Sequence, residues 1–118
     1  MKKILVAEDN DSNFVLMSYI LKKYYQFERA KNGQEAVEKA DKGGYDIILM
    51  DIKMPIMDGL EATKAIKERH PDLPIVALTA NAFDSDRQLA IEAGCDDFLS
   101  KPVSSEACLE TIKRFVGE

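Results

Sequence analysis

The sequence predicts an α/β fold in which five parallel strands form one sheet with helices on both faces. Three observations support this prediction. Short apolar runs alternate with stretches whose apolar residues recur at helical spacing, turn residues separate the two, and 46% of the 118 residues are hydrophobic. Because this length suits one compact core, we expect a single domain spanning residues 1–118.

The strands are predicted from five apolar runs. They are Ile4–Ala7, Phe27–Ala30, Ile47–Met50, Ile75–Leu78 and Phe98–Leu99. Strands that alternate with helices pair in parallel through right-handed crossovers. Five such strands favour the flavodoxin-like doubly wound order 2-1-3-4-5, in which the first and third strands end side by side at the switch point where these sheets bind ligands.

The helices are predicted from apolar stripes between the strands. The stripes are Phe14, Met17, Leu21 and Tyr24; Val37 and Ala40; Ala62, Ala65 and Ile66; Leu89, Ala90 and Ala93; and Leu109, Ile112 and Val116. Turn residues mark their ends, at Asn32-Gly33, Gly43-Gly44, Asp58-Gly59, His70-Pro71 and Gly94. Asp58 with Glu61 resembles a capping box.

Charge and composition exclude several classes of function. The chain has 16 Lys and Arg against 21 Asp and Glu, a net charge of −5, which argues against nucleic-acid or anionic-membrane binding by this domain. Cys95 and Cys108 are far apart in sequence and predict buried thiols in a reducing compartment. We see no signal-peptide pattern and no apolar span of membrane length, so we expect a cytoplasmic protein.

Three carboxylates occur where the first and third strands end. Glu8 and Asp9 follow the first strand, and Asp51 follows the third. Carboxylates that close together repel one another, which a divalent cation would relieve. Oxygen ligands without His or Cys favour Mg²⁺ or Mn²⁺. On its segment alone, Asp51 is better explained as an acid that ends a strand and starts a turn, and only the other strand ends favour a functional role.

A calcium loop is a competing interpretation of the first of these strand ends. The run Asp9-Asn10-Asp11-Ser12-Asn13 imitates the first five positions of such a loop. The required glycine position holds Phe14, and the final acid would fall on Ile20. The pattern therefore does not predict a calcium site.

The fourth and fifth strands end in groups that complement the acids. Thr79 follows the fourth strand, and Lys101 follows the fifth. Singly, each has an ordinary explanation, as a strand threonine or a solvated loop lysine. Together with the acids they supply an acceptor, a cation and donors for a transferring phosphoryl group. Asp51 is the candidate acceptor, because a carboxylate can form a covalent acyl phosphate.

At this point the residues resemble a known family. Glu8-Asp9, Met50-Asp51-Ile52-Lys53-Met54-Pro55, Met57-Asp58-Gly59, Leu78-Thr79-Ala80 and Lys101-Pro102 are similar to the motifs of the receiver domain of two-component response regulators. The wording around Leu78-Thr79-Ala80-Asn81-Ala82 and Gly94–Pro102 is most similar to receivers of hybrid sensor histidine kinases. The resemblance covers essentially the whole chain.

The resemblance implies a set of residue roles. Asp51 would accept phosphate from a histidine kinase or a histidine phosphotransfer protein, and Asp9, Asp51 and the Lys53 carbonyl would hold Mg²⁺, with Glu8 acting through water. Thr79 and Lys101 would contact the phosphoryl group. The Lys101–Pro102 bond would be cis, and Phe98 would be the aromatic switch that works with Thr79.

The resemblance also implies partners and an output surface. The first helix, from Phe14 to Lys23, would dock the phosphodonor, and the fourth helix, fifth strand and fifth helix, roughly Asp84 to Phe115, would change on phosphorylation. A downstream effector or attached kinase domains would read that change. Two alternatives stay open: a phosphatase-type enzyme with an aspartyl phosphate, and an interaction module that takes no phosphate. We expect a switch rather than an enzyme, since Lys53 occupies the position where such phosphatases carry a second Asp.

Overall fold

The computed structural model describes residues 2–80 and 85–117, and over these residues five strands alternate with five helices. In chain order the elements are β1 (Lys3–Ala7), α1 (Asp11–Leu21), β2 (Gln26–Ala30), α2 (Gly33–Lys42), β3 (Ile47–Asp51), α3 (Gly59–Arg69), β4 (Ile75–Thr79), α4 (Ser85–Ala93), β5 (Asp97–Ser100) and α5 (Ser105–Val116). The strands pair in parallel in the order β2-β1-β3-β4-β5, which confirms the predicted fold class.

Some sequence predictions involve residues that the structure does not describe. Asn81 and Ala82 of the fourth-strand motif, and Asp84 at the start of the predicted output surface, lie outside the described residues. Within the described ranges, no helix combines the length and apolar character needed to cross a bilayer.

The position of β3 and β4 inside the sheet explains why their sequences are so apolar. Every residue of β3 and β4 is buried, because strands flank both edges and helices cover both faces. Alternate β1 residues serve opposite layers: Ile4 and Val6 pack in a core with residues of α1 and α5, whereas Leu5 and Ala7 pack with residues of α2 and α3. Burying each large apolar side chain stabilises the fold by roughly 1.5–3 kcal/mol.

Among the helices whose preceding residue the structure describes, all four begin at a side chain that accepts a hydrogen bond from the N–H three residues later. Asn10, Asn32, Asp58 and Ser104 are these N-caps. The Asp58 carboxylate accepts from the Glu61 N–H at 2.9 Å, as half of the predicted capping box. Such a cap is worth about 1 kcal/mol, so these polar residues fix where the helices start.

Two residues of the predicted apolar stripes do not face the core. Tyr24 lies beyond the end of α1 and is 55% exposed, whereas the neighbouring Tyr25 is buried. Leu89 is 44% exposed on α4, and Ala90 and Ala93 provide the buried face instead. The two errors have different causes. The chain leaves α1 before Tyr24, so helical spacing no longer applies there, whereas on α4 the small residues Ala90 and Ala93 suffice to face the sheet.

Two glycines bind the loop between β3 and α3 to its surroundings. The Gly33 N–H donates to the Met57 carbonyl at 2.8 Å, and the Gly59 N–H donates to the Ile52 carbonyl at 2.8 Å. A Cβ at Gly33 would lie 2.2 Å from the Met57 oxygen, and one at Gly59 would lie 2.1 Å from the Asp51 oxygen. Only glycine permits these approaches, so the loop is held close to α2 and α3.

The tip of this loop is strained. Ile56 has a φ of 70°, the only positive φ of a non-glycine residue in the described part of the chain. The Met57 N–H donates to the Pro55 carbonyl at 2.8 Å and closes a three-residue turn around it. Turns of this kind with positive φ are rare, and a β-branched residue is poorly suited to them. Ile56 is also 79% exposed, so little packing offsets the strain.

We therefore expect Ile56→Asn to stabilise the protein by about 1 kcal/mol, because Asn tolerates positive φ and little packing is lost. Thermal unfolding should show a melting temperature about 4 °C higher. Ile91→Asn is the matched control, since Ile91 is exposed within helix α4. A gain at Ile91 as large as that at Ile56 would contradict the strain explanation.

Candidate functional site

The register of the sheet brings the predicted site residues to one edge. Ala7 pairs with Met50, so the next residues, Glu8 and Asp51, lie side by side at the carboxyl ends of β1 and β3. On the other side of β3, Asp51 pairs with Leu78, and Thr79 pairs with Ser100 immediately before Lys101. The parallel arrangement thus delivers the ends of four strands to one place.

A cleft of about 230 Å³ lies at this edge. Its lining includes the predicted acids, Lys53, Thr79 and Lys101, together with residues that the sequence did not indicate. The full lining is Glu8, Asp9, Asn10, Asn13, Asp51, Ile52, Lys53, Leu78, Thr79, Ala80, Asp86 and Lys101. Of the predicted site residues, only Phe98 lies outside this lining.

The three acids form a compact group of oxygen donors. One carboxylate oxygen each from Glu8, Asp9 and Asp51 lies within 4.8 Å of the other two. Glu8 and Asp51 are buried, whereas Asp9 is exposed at the mouth. Oxygen donors of this kind, open to solvent on one side, fit Mg²⁺, which prefers carboxylates and keeps several other ligands.

Lys101 provides the positive charge nearest to the acids. Its Nζ lies 3.0 Å from Glu8 Oε1 and 3.2 Å from Asp51 Oδ2. Burial alone would lower the pKa of the Lys101 ammonium, but contact with Glu8 and the charge of Asp51 outweigh it and raise the pKa above its usual value. Lys101 therefore stays charged. The peptide bond from Lys101 to Pro102 is cis, in agreement with the prediction.

The single ammonium of Lys101 does not fully neutralise the negative charge of the acids. Burial, followed by the hydrogen bond and the negative charge of Glu8, raises the pKa of Asp51 to about 7, although Lys101 acts in the opposite direction. The Asp51 carboxylate also accepts the Lys53 N–H at 3.3 Å. A bound divalent cation would remove this remaining conflict, which is a second reason why the residues fit Mg²⁺.

The Thr79 hydroxyl is buried beside the cleft without a hydrogen-bond partner among the described residues. Leaving a buried hydroxyl unpaired costs about 1–3 kcal/mol. The cleft thus contains a donor that a bound group with acceptor oxygens would satisfy. This arrangement suits the predicted contact between Thr79 and a phosphoryl group.

Phe98 lies behind the cleft rather than in it. Its ring is half-buried and packs against Ile52, Ala77 and Ala90, and the Arg87 guanidinium lies 4.8 Å from the ring centroid. Because Phe98 follows Asp97 at the start of β5 and pairs with Ala77 of β4, it is only two register steps from Thr79. Its role as a switch stays a prediction.

Sequence reasoning missed one residue beside the acids. Arg29, the second-last residue of β2, contacts the main chain of the loop that carries Glu8 and Asp9. The signal was present in the predicted strand order, because the end of β2 adjoins the end of β1. The strand order thus indicates only that Arg29 lies near the acids, and its contacts with the main chain of the loop do not follow from it.

The raised pKa of Asp51 predicts a pH-dependent stability difference without divalent cations. A carboxyl group whose pKa is higher when folded destabilises the fold increasingly as pH rises from its ordinary value towards about 7. We expect Asp51→Asn to melt several degrees higher than the parent at pH 8 in EDTA, and the difference to shrink at pH 5. Adding Mg²⁺ at pH 8 should raise the melting temperature of the parent but not that of Asp51→Asn.

The matched control for this experiment is Asp72→Asn, an exposed carboxylate in the turn after α3. It should change the melting temperature little at either pH. Equal melting temperatures for the parent and Asp51→Asn across this pH range would contradict the proposed conflict among the acids.

Comparisons with known proteins agree with this geometry. The model of the response regulator receiver domain matches residues 4–113. Hybrid signal transduction histidine kinase B of Dictyostelium discoideum is 44% identical over 132 residues that cover 99% of this chain. The chain spans only 7% of that kinase's length.

Two solved structures are similar throughout. One is the co-crystal structure of the Saccharomyces cerevisiae histidine phosphotransfer signaling protein Ypd1 and the receiver domain of Ssk1, its downstream response regulator, with a TM-score of 0.92, 34% identity, and coverage of 98% of this chain and 88% of that one. The other is the receiver domain of sensor histidine kinase PA1611 from Pseudomonas aeruginosa, with magnesium in its active-site cleft, a TM-score of 0.93, 35% identity, and coverage of 99% and 98%. With its sheet order, its acidic cleft and a family match along nearly its whole length, this chain belongs to the response regulator receiver domains.

Proposed function

We propose that this domain is a signalling switch that accepts a phosphoryl group on Asp51 from a histidine kinase or a histidine phosphotransfer protein. The observation that carries the proposal is the position of Asp51: a buried carboxylate that faces two further acids across a cleft and contacts the Lys101 ammonium at 3.2 Å. The phosphoryl group stays on the chain as a signal, so no separate substrate is turned over.

The transfer itself needs only the acceptor and its neighbours. A carboxylate oxygen of Asp51 attacks phosphorus, the new O–P bond forms, and the N–P bond to the donor histidine breaks. The Lys53 N–H, which donates to Asp51 Oδ1 at 3.3 Å, holds the carboxylate in one orientation. Lys101 is within reach of both the acceptor and Glu8, so its ammonium can follow the negative charge onto the phosphoryl oxygens.

Asp9, Asp51 and the Lys53 carbonyl would hold Mg²⁺, with Glu8 acting through water. Glu8 is the most buried of the three acids and also has the shorter contact with Lys101, which supports an indirect role for its carboxylate. The metal, when bound, offsets the charge of the acids and of the transferring oxygens. Mn²⁺ would suit the same oxygen donors.

Helix α1 is the proposed docking surface for the phosphodonor. Val15, Leu16 and Tyr19 are 45–63% exposed on this helix, although they are large and apolar. The same helix begins beside the cleft, because Asn10 and Asn13 are part of the cleft lining. A partner that covered these side chains would bring a histidine towards Asp51, and the similarity to a receiver crystallised with a phosphotransfer protein supports this arrangement.

The output would arise from α4, β5 and α5, read by a downstream effector or by kinase domains of the same polypeptide. Thr79 supports this route, because its hydroxyl has no partner in the described part of the chain and would gain an acceptor when a phosphoryl group arrives at Asp51. Drawing Thr79 towards the cleft changes the space beside Phe98, which pairs with Ala77 two residues earlier in β4. The aromatic ring then exchanges its contact with Arg87 for a deeper position.

The acceptor assignment predicts one phosphoryl group on the parent protein and none on Asp51→Asn. Acetyl phosphate with Mg²⁺ should add a single phosphoryl group, visible by intact-mass spectrometry and removed by hydroxylamine, as expected for an acyl phosphate. Asp58→Asn keeps a helix-capping side chain and serves as the matched control, which should be phosphorylated like the parent. Phosphate on Asp51→Asn would exclude Asp51 as the acceptor.

The proposed switch predicts amide chemical-shift changes far from Asp51. Adding beryllofluoride with Mg²⁺ should shift amides of the described parts of α4, β5 and α5 as well as those of the cleft. Thr79→Ala should keep the shifts near Asp51 and lose most of the distant ones, because the hydroxyl that couples the two regions is absent. Shifts confined to the cleft in the parent would contradict the proposed route.

A further inference from the structure

Arg29 holds the loop between β1 and α1 with every nitrogen of its guanidinium. Its Nε donates to the Glu8 carbonyl at 3.0 Å, its Nη2 donates to the Asp9 carbonyl at 3.1 Å, and its Nη1 lies 2.9 Å from Asp11 Oδ1. The side chain is only 17% exposed, and its guanidinium lies 4.7 Å from the Phe14 ring centroid. Arg29 is therefore fixed from several sides.

These contacts restrict the two acids of the loop. The Glu8 N–H continues the sheet by donating to the Ala30 carbonyl at 3.0 Å, and Arg29 then holds the next two carbonyls. With its carbonyls held on the side of β2, the loop presents the Glu8 and Asp9 carboxylates to the cleft, where each contributes an oxygen to the acid group. Arg29 thus contacts the main chain that carries both donors, although it lines no part of the cleft.

The third contact separates Asp11 from the site. Asp11 belongs to the run that imitates a calcium loop, yet it is absent from the cleft lining and from the acid group. Its carboxylate instead pairs with Arg29 at the first turn of α1. Arg29 thus pairs with Asp11 of this run while it contacts the main chain of Asp9 and of the preceding Glu8.

We propose that Arg29 is a positioning residue for the metal site: it fixes the main chain of Glu8 and Asp9 so that their carboxylates are arranged for a divalent cation before that cation binds. This inference rests on the proposed Mg²⁺ site. Residues that orient metal ligands typically contribute 10- to 100-fold to metal affinity, so the effect should be measurable by direct binding.

The direction in which Mg²⁺ affinity changes when Arg29 is replaced distinguishes a positioning role from an effect of its charge. Arg29 is a cation close to the site, so its removal would by Coulomb's law alone strengthen the binding of another cation. Loss of positioning weakens it. Arg29→Gln should therefore reduce Mg²⁺ affinity about tenfold or more, against the electrostatic expectation.

The test is calorimetric titration of the full chain with Mg²⁺. Arg29→Lys keeps the charge and the apolar stem but cannot contact two carbonyls and a carboxylate together, so its affinity should also fall, by at least about threefold. Arg69→Gln removes an equal charge from an ion pair with Asp41 at the opposite end of α3 and serves as the matched control.

Each outcome supports or overturns the proposal. Weaker binding in both Arg29 variants, with Arg69→Gln unchanged, supports it; tighter or unchanged binding in Arg29→Gln, or parental affinity in Arg29→Lys, overturns it. If Arg29→Gln does not fold, the Lys variant decides, since it preserves the charge. Asp9→Ala separates this inference from the proposed function: loss of binding there with no effect at Arg29 keeps the metal site and rejects the positioning role, whereas a parent that binds no Mg²⁺ rejects the site itself.

Discussion

The ammonium of Lys101 between the carboxylates of Glu8 and Asp51 is the interaction on which the rest of the site depends. Two buried carboxylates share one cation at 3.0 and 3.2 Å, with a third carboxylate close by. At an effective dielectric of 20, a pair of like charges 4 Å apart repels by roughly 4 kcal/mol, so the cluster carries an excess of negative charge that is costly to bury. The sheet tolerates this cost because its central strands are buried at every position.

That excess negative charge is what suits the site to bind a divalent cation. A cleft whose acids are already fully neutralised would have little affinity for a divalent cation, whereas one without Lys101 would lack a charge able to move with the phosphoryl oxygens. The Thr79 hydroxyl, which has no hydrogen-bond partner among the described residues, likewise costs stability and would be satisfied by a bound group with acceptor oxygens. The excess negative charge of the acids and the Thr79 hydroxyl would thus both be compensated by a bound cation and a bound group with acceptor oxygens.

Most of this arrangement could be predicted from the sequence, because its determinants are local. The apolar runs of β3 and β4 and the polar residues that end them are visible in the chain, and parallel pairing then requires those ends to meet. The role of Arg29 could not be predicted in the same way, because it depends on contacts with a loop 20 residues away in sequence. Tyr24 and Ile56 illustrate the same limit: helical spacing does not reveal where a helix ends, nor does composition reveal a positive φ.

The glycine contacts of the loop after β3 make the surroundings of Asp51 more rigid on one side than on the other. Gly59 approaches the Asp51 carbonyl so closely, and Gly33 the Met57 carbonyl, that this side of the acceptor is bound to two helices through their main chains. Main-chain contacts of this kind deform far less than side chains that rotate about single bonds. The main chain at Asp51 is therefore held rigidly towards α2 and α3, whereas the proposed switch residues Thr79 and Phe98 respond through side chains that can rotate.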